Sequence, residues 1–277
     1  MFTLNCKGRL VTITSPIVMG IINITADSFY KGSRITTTSD ALQKAEQMIN
    51  EGAAILDIGG QSTRPNSEQM TAAEEMQRVL PVIEAIHKQF PETLISVDTF
   101  YAAVASKAIH AGASIVNDIS GGSLDTEMFE TVAKLKVPYI CMHIKGTPGT
   151  MQQQAVYENA TKEILDYFIQ QIEVCKKKGI NDVIIDPGFG FAKNSMHNFE
   201  LLRNLSIFKM LDKPILAGLS RKSTIYKTLN ITAEDALNGT TVMNTIALLN
   251  GANILRVHDV KEAMQAIKLM EKYQNHD

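Results

Sequence analysis

Asp98, Asn117, Asp186, Lys222, Arg256 and His258 each follow or close an apolar run of strand length. Two carboxylates and an amide offer acceptors. A lysine, an arginine and a histidine offer donors for an anion. Arg64, Arg221, Lys222, Arg256 and His258 form the cationic set. Asp98, Asn117 and Asp186 form the accepting set. A small molecule with a flat, donor-rich edge and an anionic tail satisfies both. The stretch "DPGFGFAK" adds to this picture. Gly188 and Gly190 permit close backbone approach, and Phe189 and Phe191 offer apolar faces for a ring. Loop packing is the simpler reading of Phe189. For Asp57 and Asp118, a strand-end cap bonded to local backbone stands level with direct chemistry.

Those residues need elements to position them. The runs "IVMGII", "AILDI", "LISV", "SIVN", "PYICM", "DVIID", "PILAG" and "NILRV" recur with helical patterns between them. They are nearly continuous in apolar residues, as parallel strands covered on both faces are. This spacing predicts a closed α/β (β/α)₈ TIM barrel over residues 1–277 as one domain, preceded by a short β-hairpin around Lys7–Gly8. In such a barrel the strand ends share one mouth. The last two loops, which carry Lys222 and Arg256, are a frequent phosphate site there. Ser39 and Asp40 signal a helix start, Gly52 a helix end, and Thr71 with Glu74 a capping box. Pro81 is expected to bend or interrupt its helix.

Composition removes several functional classes. The net charge of -2 and pI near 6.3 provide no field for a polyanion, so nucleic acid is not an expected partner. No apolar run reaches membrane-spanning length and no secretory signal opens the chain. Three isolated cysteines suit reduced thiols in a cytoplasm. The six histidines include no zinc-binding pair.

The stretches "MGIINITADSF", "DIGGQSTRP", "SVDT", "NDISGG", "MHIKGTPGTMQ", "DPGFGFAK", "AGLSRKS" and "RVHDV" resemble, in order and over nearly the whole chain, the motifs of bacterial dihydropteroate synthases. The resemblance implies an enzyme of folate biosynthesis, usually a homodimer. Such enzymes join 6-hydroxymethyl-7,8-dihydropterin diphosphate to p-aminobenzoate, with Mg²⁺ as cofactor, giving 7,8-dihydropteroate and pyrophosphate. Carried over by motif, Asp98, Asn117, Asp186, Lys222 and Arg256 hold the pterin. Asn23, Thr63, Arg256 and His258 hold the diphosphate, and Asn23 also binds Mg²⁺. Phe29, Thr63, Arg64, Pro65, Phe191, Lys222 and Ser223 shape the p-aminobenzoate side. Asn23, Arg64, Lys222, Arg256 and His258 carry the catalysis. The family's sulfonamide inhibitors mimic p-aminobenzoate.

The chemistry implied is a dissociative substitution, in which diphosphate leaves before the aromatic amine adds and no covalent enzyme intermediate forms. Cys141 and Ser223 are not required as nucleophiles, and His143 reads as a structural strand-end residue. Lys31 reads either as a solvated loop-tip charge or as a lid residue over the diphosphate. The chain departs from the family pattern at Ala26, Lys31, Gln61 and Ala192. Two alternatives share the pterin acceptors: a pterin-binding methyltransferase barrel and a catalytically silent pterin-binding module. The cationic stretches "SRKS" and "RVHD" argue against the first. Intact Asn23, Lys222 and Arg256 argue against the second.

Overall fold

A computed structural model of the chain describes residues 1–24, 37–61 and 69–274. Strands β1 (Phe2–Cys6) and β2 (Arg9–Ile13) pair antiparallel. They turn through Lys7 and Gly8, both at positive φ, the geometry that matches strand twist in a two-residue hairpin.

Eight further strands follow: β3 (Ile17–Asn23), β4 (Ile55–Gly59), β5 (Leu94–Asp98), β6 (Ile115–Asp118), β7 (Tyr139–Met142), β8 (Val183–Asp186), β9 (Leu216–Ala217) and β10 (Ile254–Val257). They form one parallel sheet in the order β8-β7-β6-β5-β4-β3-β10-β9. A parallel bridge between Ile185 and Ile215, with Ile185 N donating to Pro214 O at 3.0 Å, brings the two ends together. The expected barrel and hairpin are both present.

The helices are α1 (Thr38–Glu51), α2 (Ala72–Gln89), α3 (Ala102–Ala111), α4 (Met128–Leu135), α5 (Ala160–Lys178), α6 (Ser195–Arg203), α7 (Ser223–Leu229), α8 (Leu237–Leu249) and α9 (Val260–Gln274). Thr37, rather than Ser39 or Asp40, caps α1, its hydroxyl accepting from Asp40 N at 3.1 Å. Thr71 and Glu74 form the expected capping box. Pro81 lies inside α2 and does not interrupt it.

Strand alternation divides the side chains into two sets. Met19, Ile55, Leu94, Ile115, Ile140, Ile184, Leu216 and Ile254 form one buried cluster, together with Leu4, Cys6 and Ile13 of the hairpin. Each barrel strand contributes one residue, and the hairpin covers the open lower end. Their neighbours, such as Leu56, Ile95, Val116, Cys141, Ile185 and Leu255, pack outward in the main cluster against the helices. Each large side chain buried this way contributes about 1.5–3 kcal/mol. This parity decides the rest. Two residues above the apolar layer, the same inner face carries Asp57, Ser96, Asn117, Asp186 and Arg256. Another two residues on, it carries Asn23 and Asp98.

Candidate active site

Arg256 organises the barrel mouth. Its Nε donates to Asp57 Oδ2 and its Nη2 to Asp98 Oδ2, both at 2.6 Å. Asn117 Nδ2 donates to the same Asp57 oxygen at 3.0 Å. Four barrel strands thus meet in one network. Burial lifts the Asp98 carboxyl to about 7. Arg256 opposes the rise, and Asp57, Asp118 and Asp186 add to it. Arg256 itself is depressed by burial, yet its pKa ends above the usual value because Asp57 and Asp98 stand beside it.

The sequence leaves Asp57 open between a local cap and direct chemistry. Its side chain is fully buried on the inner face and paired to Arg256. Asp118 has the opposite parity and fate. It accepts from Ser120 N, Ser120 Oγ, Gly122 N and Tyr139 Oη at 2.7–2.8 Å, which makes it a structural hub of its loop. The alternation Ile55, Asp57, Gly59 was the signal that could have placed Asp57 in the site.

Asp186 lies across the mouth from this network. Gly188 N donates to its Oδ1 at 2.8 Å, leaving Oδ2 for a ligand. Burial raises its pKa, against Lys222, the Gly188 amide, Arg256 and Lys193. Lys222 donates to Phe189 O, and its Nζ stands 4.8 Å from the centre of the Phe191 ring. Burial lowers Lys222 to about 8, with Asp186 opposing.

The Gly/Phe loop is tied down at several points. Gly190 N donates to the buried Asn198 Oδ1 at 2.8 Å, and Lys193 Nζ donates to Phe191 O at 2.9 Å. Lys193 Nζ also lies 3.0 Å from His143 Nδ1, so His143 serves as a structural anchor. A Cβ on Gly188 would sit 2.2 Å from His143 O, so only glycine allows this approach. Phe189 is buried in the main core, while half-buried Phe191 faces Lys222. Lys193 and Asn198 were not singled out from the sequence. No periodic signal marks a side chain that folds back on its own loop.

In the cationic sector, His258 Nδ1 lies 3.0 Å from Ser220 Oγ, which also accepts the His258 backbone N–H at 3.2 Å. Ser223 opens α7 directly after Lys222. Arg221 is the correction here. The sequence groups it with the anion donors, but its guanidinium donates two parallel hydrogen bonds to Asp259 at 2.8 and 2.9 Å. It also donates to Ala233 O and Glu234 O. It ties together the loops that lead into α7, α8 and α9. Phe29, Lys31, Thr63, Arg64 and Pro65 lie outside the described residues.

Asn23 ends β3, and a Cβ placed on Gly59 would sit 3.5 Å from Asn23 Oδ1 and 3.4 Å from Asp98 Cβ. Glycine keeps the space between them open. Among the described residues, no group of three or more His, Cys, Asp or Glu side chains is placed to hold a metal. A hard cation at Asn23 would therefore complete its shell from water and ligand phosphates. Mg²⁺ takes oxygen ligands and keeps several waters, and Asn23 Oδ1, beside Gly59, is an oxygen of that kind.

Residues 19–258 match the family model described as "Pterin binding enzyme". The chain is 42% identical to the dihydropteroate synthase of Escherichia coli (strain K12) over 96% of its own length and 94% of that protein. The chain belongs to the dihydropteroate synthase family. Among solved structures, the Yersinia pestis dihydropteroate synthase in a sulfonamide drug complex superposes with a TM-score of 0.94 at 39% identity, covering 99% of both chains. The Xanthomonas albilineans dihydropteroate synthase in complex with 7,8-dihydropteroate gives 0.87 at 33% identity, again over 99% of both. The synthase barrel and its pterin-binding motifs therefore extend over essentially this whole chain.

Proposed function

We propose that this chain condenses 6-hydroxymethyl-7,8-dihydropterin diphosphate with p-aminobenzoate, releasing pyrophosphate and 7,8-dihydropteroate. The observation that carries the reading is the gathering of acceptors and cations at one barrel mouth. Asp186 stands there with an oxygen to spare. Arg256, Lys222 and the Ser220–His258 pair stand at the ends of β9 and β10.

A pterin's pyrimidine edge presents an exocyclic NH₂ beside a ring N–H, and Asp186 accepts from both. Asn117 and Asp98 complete the inner wall, and Lys222 donates to the ring's acceptor side. A lookalike without those donors would leave a buried carboxylate unpaired, which gives selectivity. Arg256 and His258 face the diphosphate, with Asn23 nearby. Asn23 would hold Mg²⁺, which when bound supplies positive charge to the leaving group. Arg256 stabilises the departing charge, and the electron-rich dihydropterin supports the resulting cation. The weakly basic aromatic amine then adds from the side lined by Phe191, Ser223 and the loops of Phe29, Thr63, Arg64 and Pro65.

The three free, buried cysteines suit a reducing cytoplasm, and no helix among the described residues is long and apolar enough to cross a membrane. Val242, Ile246 and Leu249, apolar and exposed on α8, suit the contact of a homodimer. The test is pyrophosphate release from the pterin diphosphate in Mg²⁺, with and without p-aminobenzoate. Release accompanied, when p-aminobenzoate is present, by formation of 7,8-dihydropteroate supports the synthase. No release in either case refutes it.

A further inference from the structure

The Ser220–His258 pair has more hydrogen-bonding order than a simple anion contact needs. Ser220 continues the inward parity of Leu216 on β9, and His258 that of Ile254 on β10. Ser220 Oγ already accepts the His258 backbone N–H. Its own hydroxyl proton is then free to point at Nδ1, 3.0 Å away. That arrangement suits a neutral ring protonated on Nε2. The charges around it agree. Among the described residues, Arg256, Asp259, Arg221 and Lys222 bear on His258. Asp259 is the one anion in that set, and both its oxygens are bonded to Arg221. Burial, followed by Arg256, holds the imidazole at about 4 in the ligand-free site.

A bound diphosphate reverses the sign of that environment. We propose that His258 takes up a proton when the diphosphate binds, and that Ser220 is the positioning residue that allows it. The proton comes from solvent to Nδ1. The serine hydroxyl turns, and Oγ then accepts from both Nδ1–H and the backbone N–H. As pyrophosphate leaves, the proton returns to solvent and the hydroxyl turns back. The ring is neutral in the empty site, where Arg256 and Lys222 would repel a third cation. It is charged only while there is an anion to hold. The proposal rests on the diphosphate role given to His258 above.

The test uses the whole protein labelled with ¹⁵N-histidine, with inorganic pyrophosphate and Mg²⁺ as the probe at neutral pH. His258→Gln assigns the resonance. The expected result is a neutral Nε2–H pattern in the free protein that becomes an imidazolium pattern on binding. Calorimetry in two buffers of different ionisation enthalpy should show about one more proton taken up by the wild type than by His258→Gln. Ser220→Ala should reduce that uptake and weaken pyrophosphate several-fold more than it weakens a phosphate-free pterin. An imidazole that shifts on binding yet stays neutral overturns the proton uptake and leaves the diphosphate role standing. A His258 resonance that pyrophosphate does not move overturns both. His258→Asn gives a second route to the assignment if His258→Gln fails to fold, and the wild-type spectra then decide the matter.

Discussion

Arg256 Nε lies 2.6 Å from Asp57 Oδ2, although 199 residues separate them along the chain. The contact forms because β10 pairs with β3, and β3 with β4, so that two inward-facing residues one strand apart meet inside the barrel. Arg256 thus has two tasks. It faces the diphosphate side, and it neutralises Asp57 and Asp98.

Arg256→Ala should therefore do more than remove an anion contact. It leaves buried Asp57 and partly buried Asp98 without their cation, and breaking a buried ion pair typically costs about 3–5 kcal/mol. Asp98 loses the cation that opposes its rise to about 7, so it should stay protonated to higher pH. Turnover of the diphosphate substrate should collapse. Residual binding of a phosphate-free pterin should improve as pH is raised. Urea melts and a pterin titration at two pH values check both. Unchanged stability would refute the neutralising role.

Asp57→Asn tests the same contact from the other side. The amide keeps the shape but not the charge, so Arg256 keeps one carboxylate partner, Asp98. Loss of a charge-assisted bond is worth about 1.5–3 kcal/mol. The expected signature is a fall in kcat larger than the rise in KM for p-aminobenzoate, since the amine does not touch this wall. A change confined to the KM of p-aminobenzoate would count against it.

Asp186→Asn should weaken the pterin strongly. An amide cannot accept from two neighbouring donors with both its terminal atoms, and each lost charge-assisted bond is worth about 1.5–3 kcal/mol. Gly188 N, which now donates to Oδ1, can still be satisfied by the amide oxygen, so the loop should hold. Calorimetry with a pterin analogue measures the loss, and equal affinity in both proteins would remove Asp186 from the site.

Glu75 predicts a pH dependence of stability. It lies fully buried in the first turn of α2, where Thr99 only partly offsets the cost of taking its carboxyl out of water. Burial lifts it from 4.5 to about 8. Its folded pKa is the higher one, so its contribution is fully present below about 4.5. That contribution is lost as pH rises towards about 8, by ~1.4 kcal/mol per pH unit. Glu75→Gln removes the slope. Denaturant melts of the two proteins should diverge between pH 5 and 8, and parallel curves would contradict the assignment.

Ala192 sits buried at φ 50°, in the left-handed region, where the family often has glycine. That conformation costs an L-residue roughly 1–2 kcal/mol, and glycine's extra chain entropy offsets part of the relief. Ala192→Gly should stabilise the protein by roughly 0.5–1 kcal/mol. Thermal melts read it directly. A lower melting temperature would mean that the buried methyl group matters more than the backbone strain.

Much of this protein is legible in its sequence, for local physical reasons. Apolar runs covered on both faces announced parallel strands. Thr71 with Glu74 announced a helix start, and the polar residues at the strand ends announced a shared mouth. The alternation of Ile184 and Asp186, or of Ile254 and Arg256, is local information too, and it places both polar residues inward. The tertiary structure alone decided which charges pair. "SRKS" carries adjacent cations, but Arg221 turns to Asp259, just after β10, while Lys222 turns back to Phe189. Asp57 and Asp118 look alike at two strand ends, yet one lies inside the barrel beside Arg256 and the other outside it, bonded to Tyr139. A pairing between residues far apart in the chain depends on strand register and barrel closure. Closure sums many weak contacts over the whole molecule, so no single stretch of sequence contains it.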